Sequence, residues 1–272
     1  MIYRVLTHAG LPVAAMLALS ASGAWAAPLP SDLAVTGEIS FDTTNSFASD
    51  ADSNGSFSTT VGGADGTTSY TDGSPDAPNP RSATFTHLGD GFALDGVGNA
   101  AGADSAMLAG MDFLLTLLNT SPVATYTVHL EMVFDHRVDS DGSDAYADSE
   151  FTIGEGGTEV AFTDITSDTF FGDVSGGADL GTFGEEVTDV GMRVLTAILT
   201  PGASVEYDGA WTGEAESFEP DSSSLLDFSG SFRITSVESD QPPPGVIPLP
   251  ASLPLALGGL ALLAGIALRR GR

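Results

Sequence analysis

Cysteine is absent from this 272-residue chain, and so is lysine. With no thiols there are no disulfide staples, so stability has to come from a buried core. With no lysine, eight arginines are the only strong cations. Four of them, Arg81, Arg137, Arg193 and Arg233, share the stretch Asp32–Asp240 with all 37 carboxylates, which leaves that stretch at −33. A body this acidic repels nucleic acid and bare anionic surfaces. It suits a saline habitat, where salt screens self-repulsion beyond about 8 Å, and it could also gather divalent cations. Also missing are a convincing amphipathic helix, an internal repeat of fixed period, a G-x-S-x-G nucleophile elbow and a zinc-ligand spacing of histidines.

What is present is period-two alternation. In Thr125–Asp135, Tyr126, Val128, Leu130, Met132 and Phe134 alternate with Thr127, His129, Glu131, Val133 and Asp135, which predicts a strand with one buried face. Phe113–Leu118 is continuously apolar and reads as a strand covered on both sides. The Asn119-Thr120-Ser121-Pro122 turn chemistry between these two predicts an antiparallel hairpin. Further strands are expected at Leu33–Ser40, Ser82–Leu88, Ala145–Ile153, Glu159–Ile165 and Gly191–Leu199. After Pro201-Gly202, Val205, Tyr207, Gly209 and Trp211 share one face, and Phe228, Gly230, Phe232 and Ile234 share another. Phe41–Pro80 reads as short strands such as Ser56–Val61 between long loops, and Ser105–Gly110 as a short helix. Short strands separated by Gly and Asp turns predict an all-β antiparallel β-sandwich over residues 27–240.

The ends differ from the body. Residues 1–26 read as a signal peptide, with Arg4 in the basic region, Leu11–Leu19 as the apolar core and Ala24-Trp25-Ala26 as the A-x-A site before Ala27. At the other end a proline-rich spacer, residues 241–247, leads to Pro248. The run Ala251–Leu268 carries no charge, and its 18 residues would span roughly 27 Å as a helix. Arg269, Arg270 and Arg272 follow it and should stay on the cytoplasmic side.

Ile247-Pro248-Leu249-Pro250-Ala251, followed by that span and its basic end, resembles the VPLPA variant of the PEP-CTERM sorting signal, with Ile where the family usually has Val. The resemblance covers Val246–Arg272. It implies a tail read by an exosortase, a membrane-embedded thiol peptidase-transpeptidase, after signal peptidase has acted at Ala27. The membrane would then be a transient partner, with the cell surface or extracellular matrix as destination. The wording of Leu117–Ser121, Tyr126–Val128 and Leu199–Val205 is also similar to other exported β-domains of that type.

Two acidic clusters are the metal candidates. Asp50, Asp52 and Asn54, with Gly55, match the first half of a D-x-D-x-N-G calcium loop, in which alternate oxygens wrap a hard cation and the glycine allows a sharp turn; an EF-hand would need an acid where Val61 stands. Asp139, Asp141 and Asp144 form the second cluster, and aligning Gly142 with the EF-hand glycine puts Arg137 at the first ligand position. His87, His129 and His136 read as lone surface histidines, and Tyr207 and Trp211 as core. No catalytic residue and no cofactor is indicated, calcium being the one candidate ion. The reading is therefore an exported, non-enzymatic surface or matrix protein. The alternatives are a calcium-dependent binding module for extracellular polysaccharide and a secreted hydrolase without a recognisable motif. Nucleic acid is excluded as a partner.

Overall fold

The computed structural model describes residues 27–241, Ser49 excepted. The expected signal peptide, the expected sorting motif and the apolar run with its arginines therefore lie outside the described residues. In chain order the strands are β1 (Leu33–Phe41), β2 (Ser46–Phe47), β3 (Ala51–Val61), β4 (Ala64–Thr71), β5 (Ser74–Pro75), β6 (Arg81–Phe85), β7 (Gly91–Ala101) and β8 (Ser105–Asn119). They continue as β9 (Tyr126–Asp141), β10 (Ala145–Glu155), β11 (Thr158–Asp168), β12 (Val174–Ser175), β13 (Ala178–Asp179), β14 (Val187–Leu199), β15 (Ser204–Ser217) and β16 (Ser223–Ser239). No helix occurs among the described residues.

Two antiparallel sheets pack as a sandwich. One runs β13-β12-β11-β10-β15-β8-β1-β6, with β2 also on β8; the other runs β14-β9-β16-β7-β3-β4-β5. The alternation read from the sequence is the inward face of each long strand: Tyr126, Val128, Leu130, Met132 and Phe134 on β9, and Phe228, Phe232 and Ile234 on β16, are all buried. Aromatic rings tie the layers together. Phe113 of the first sheet meets Phe92 and Phe232 of the second at centroid distances of 5.2 and 5.4 Å, and Trp211 stacks on Phe228 at 5.2 Å. Such pairs add about 0.5–1.5 kcal/mol each beyond the apolar area they bury.

Several expectations are corrected. β8 and β9 are not a hairpin: β8 pairs with β1 and β15, whereas β9 pairs with β14 and β16 in the other sheet. Residues 120–125 cross the gap between the layers, which is about 10 Å wide in a sandwich. The apolar run of β8 is covered on one side only, since Leu114 and Leu118 are exposed on the outer face. Ser105–Gly110 is the start of β8, not a helix, because its pairing with β15 satisfies the backbone. Much of Phe41–Pro80 is sheet as well, chiefly β4 and β3, which contains the expected Ser56–Val61 strand and extends it back to Ala51.

The sandwich has two poles. Asp240 caps one of them: its backbone N–H donates to the Thr125 carbonyl (3.2 Å) and its carboxylate accepts from the Thr125 N–H (2.8 Å). At this same pole Asp32 accepts a short bond from the Tyr126 hydroxyl. Asp32, just before β1, and Asp240, just after β16, thus meet at Thr125–Tyr126. β9 runs away from this pole for 16 residues, about 50 Å at roughly 3.3 Å each. Its far end reaches the second pole, where the β9–β10, β15–β16 and β11–β14 connections lie.

Candidate functional site

The two predicted calcium clusters share the far pole and the same sheet, but two strands separate them. Asp139 and Asp141 lie on β9, Asp52 and Asn54 on β3, and β16 and β7 run between. Neither is the loop expected. Asp52 and Asn54 project from a straight strand, and Asp52 accepts from the Asn99 amide at 2.7 Å. Gly55 makes no turn: it faces inward, where a Cβ would overlap Tyr70 and the Asp95 carbonyl. The calcium-loop spelling thus arises from a core glycine on a polar strand. In the second cluster Asp141 accepts from the Gly142 N–H (2.8 Å), and Asp144 follows beyond the turn with its N–H on the Ser222 hydroxyl (3.0 Å). Asp50 has a left-handed backbone at φ 57° just before β3. Among the described residues, no three His, Asp or Glu side chains converge in a metal-holding group.

A denser acidic patch lies on the outer face of the first sheet. Glu150 and Asp148 of β10 stand beside Asp164 of β11 and Glu214 of β15. Burial, then the neighbouring Asp164, raises the Asp148 carboxyl. Burial, then Asp148 and Asp164, raises Glu150. Burial, then Glu216 and Asp148, does the same at Glu214. No arginine is paired there: among the described residues the sole ion pair is Arg137 with Glu186, at 2.6 Å. Concavities on this face are shallow. The one lined by Glu38, Asp112, Asp208 and their neighbours encloses about 360 Å³ and contains no histidine.

The histidines divide. His87 and His129 are surface groups bonded to Thr86 (2.8 Å) and Thr196 (3.0 Å). His136, expected at the surface, is fully buried. It is an inward residue of β9, because that strand continues to Asp141 and does not end at Asp135. Its Nδ1 meets the Ser149 hydroxyl at 2.9 Å, and the Trp211 Nε1–H donates to the same oxygen at 3.0 Å. With Trp211 donating, the consistent arrangement has Ser149 O–H donating to Nδ1. Nε2 then sits unpartnered between Phe134 and Phe228, whose centroids are 5.4 and 4.7 Å from the imidazole. Burial pushes the imidazole down to about 4, against the opposing pull of Asp189. The group is a neutral polar bridge between the sheets. Ser149 is itself completely buried, so this Ser–His contact does not present a nucleophile. Tyr207 and Trp211 are core, as expected.

At the far pole the β11–β14 connection holds a feature the sequence reading missed. Phe170, Phe171 and Phe183 are exposed there, and Phe170 and Phe171 pack edge to face at 5.0 Å. Two carboxylates organise the loop from inside. Asp168 Oδ1 accepts from the N–H groups of Phe170 and Phe171, both at 2.7 Å. Asp173 accepts from those of Asp168 (3.0 Å), Gly184 (2.8 Å) and Glu185 (3.1 Å). Burial alone would raise Asp173, but the Thr182 hydroxyl together with these backbone bonds outweighs it and lowers its carboxyl. The available signal was an aromatic pair beside Gly172, inside a Gly/Asp-rich stretch where apolar side chains have no alternation to serve.

No protein-family model and no curated protein matches the chain. Two solved structures from infectious bursal disease virus align weakly. The structure of the Gt strain aligns at 10% identity, over 88% of this chain and 74% of that one, with a TM-score of 0.13. The VP2 subviral particle aligns at 9% identity, over 77% and 66%, with a TM-score of 0.14. Likeness this slight carries no argument about this protein.

Proposed function

We propose that the chain is an exported, non-enzymatic surface or extracellular-matrix protein, delivered by exosortase-type processing of its tail. The observation that carries this reading is the placement of the ends. The first described residues and Asp240 leave from one pole, so a tail continuing from Gln241 would hold that pole toward a membrane. The far pole, with its acidic strand ends and exposed phenylalanines, would then face outward, about 50 Å away along β9. Shallow outer faces and an interior His136 are in keeping with a structural or adhesive role. Mass spectrometry of protein recovered from the cell surface tests the proposal. The mature form should begin at Ala27 and lack residues 251–272, and an intact tail on surface protein would overturn the processing step.

One observation favours the second reading, calcium-dependent binding: both acidic clusters lie at the outward pole of the same sheet. If Asp139 and Asp141 or Asp50 and Asp52 bind calcium, millimolar calcium should raise the melting temperature more than sodium chloride of equal ionic strength. Changing either pair to Asn should remove the excess, and equal action of the two salts would leave only a solvated acidic surface.

A further inference from the structure

The sheet edges are unequal. Three of them end in short strands, β13 and β5 with two residues each and β6 with five. The fourth is β14, with 13 residues. Proteins blunt exposed edges with lysine, proline, bulges or covering loops. β14 contains neither lysine nor proline, and its pairing with β9 runs from Val187 to Leu199 without a register shift. Beyond β9, its backbone is engaged among the described residues at two carbonyls: Met192, which accepts from its own Arg193 at 3.1 Å, and the last residue, Leu199, which accepts from the Asn119 amide at 2.9 Å. Its outer face is apolar and open: Val190, Met192, Val194 and Ile198 are 68%, 55%, 54% and 66% exposed. Val133 of β9, also exposed, lies directly beside Met192 and extends that stripe.

The charges on β14 say what fits this edge. Asp189 and Arg193 are its only charged residues, four apart on the inward side, with Gly191 midway. Asp189 is held in place by the Thr163 hydroxyl, which donates to Oδ2 at 2.6 Å. Arg193 lies over the Phe134 ring at 5.5 Å with no carboxylate in ion-pair reach. We propose that β14 is a docking edge for a second copy of this chain, paired antiparallel about a two-fold axis at Gly191. In that register Asp189 of each copy stands opposite Arg193 of the other, giving two symmetric ion pairs, and Val190 stands opposite Met192 on the apolar face. Directly opposed residues have Cβ atoms about 4.5–5.5 Å apart. Centring the pair on Arg193 or on Asp189 would oppose like charges, and an in-register parallel pair would do so at both positions. Centring on Val190 or Met192 would forgo both ion pairs, so the charge pattern favours the Gly191 axis, and an isologous contact closes at two copies instead of propagating.

The native sequence has no cysteine, so introduced thiols report the register directly. Full chain carrying Val190→Cys is mixed with full chain carrying Met192→Cys, in mild detergent at physiological salt, and oxidised. The mixture should give a disulfide-linked dimer at several-fold the yield of either variant alone. Adding Asp189→Arg to both should abolish it, and adding Asp189→Arg with Arg193→Asp should restore it. Val194→Lys, at an exposed position that leaves the fold intact, should also abolish it. A mixture that yields no excess dimer, or a yield indifferent to Asp189→Arg and Val194→Lys, overturns the proposal, as does a monomeric wild-type chain under the same conditions.

Discussion

Replacing Asn119 with Ala should be among the most damaging single changes in the fold. Asn119 is completely buried at the pole where the chain ends meet. Its Nδ2 donates to the Ala124 carbonyl (2.7 Å) and the Leu199 carbonyl (2.9 Å), and its Oδ1 accepts from the Ser121 N–H (2.9 Å). Its backbone is engaged too, its N–H donating to Ala203 (2.9 Å) and its carbonyl accepting from Gly202 (3.1 Å). One side chain therefore fastens both crossovers at this pole, β8 to β9 and β14 to β15. Three lost bonds at about 1 kcal/mol net each, with part of the desolvation cost of the groups left unpaired, give about 3–5 kcal/mol. For a body of this size that is a fall of roughly 10 °C in melting temperature. Urea denaturation of Asn119→Ala with an unchanged m-value is the assay. Thr120→Ala, which removes an exposed hydroxyl bonded to Asp32, is the control and should stay within about 0.5 kcal/mol of wild type. A loss under 1 kcal/mol in Asn119→Ala would refute the view that this amide anchors the crossovers. The same geometry predicts that the Asn119-Thr120-Ser121 sequon is not modified in folded protein, since both amide hydrogens are committed.

Other expected outcomes follow from the charges. His136 is held near 4 in the folded state against an ordinary 6.5. As pH falls through 6.5 the unfolded chain takes up a proton that the folded chain refuses, so stability is lost between pH 6.5 and 4, by about 3 kcal/mol for this group. The stability difference between wild type and His136→Phe should shrink or reverse by that amount across this window, and parallel pH profiles would refute the assignment. The raised carboxylates act oppositely: Asp148, Glu150 and Glu214 stabilise as pH falls toward their elevated values, because the folded state then binds the extra protons. Glu214→Gln should accordingly raise the melting temperature at low ionic strength, with the gain fading in 0.5 M salt, as calorimetry at two salt concentrations would register. Far-UV circular dichroism of the mature protein should show β structure with less than about a tenth helix, against a usual third.

Strand identity and facing were legible because period two is written in residues such as Tyr126, Val128, Leu130 and Met132. Pairing was not. Alternation tells which side of a strand is buried and is silent on which sheet the strand joins, so the six residues between β8 and β9 read equally well as a hairpin turn or a crossover. Only Ser56–Val61 of β3 was read as strand; its first half was hidden because its outward positions are Asp52 and Asn54, turn-forming types that central pairing nevertheless tolerates on a solvated face. The same residues imitated a calcium loop. His136 was misplaced by the assumption that β9 ended at Asp135, which made an inward residue look like the start of a loop. The charge balance of β14, spelled by Asp189 and Arg193, could be read only once the structure had made that strand an edge.

The position of β16 bears on how such a molecule is made. This last strand to be synthesised is not peripheral: it lies between β9 and β7 in the middle of its sheet, and its Phe228, Phe232 and Ile234 fill the core. β1 likewise meets β8 only 70 to 86 residues later, Phe41 pairing with Met111 and Leu33 with Asn119. Pairings so distant in sequence are slow to form, because loop closure must be paid before contacts reward it. A chain emerging N-terminus first through a membrane pore therefore has no complete sandwich to build until residues 223–239 have arrived. Were the chain exported as proposed, delay of that kind would keep the polypeptide threadable during its passage, and the closing of the second sheet would coincide with the arrival of the segment that leads to Gln241.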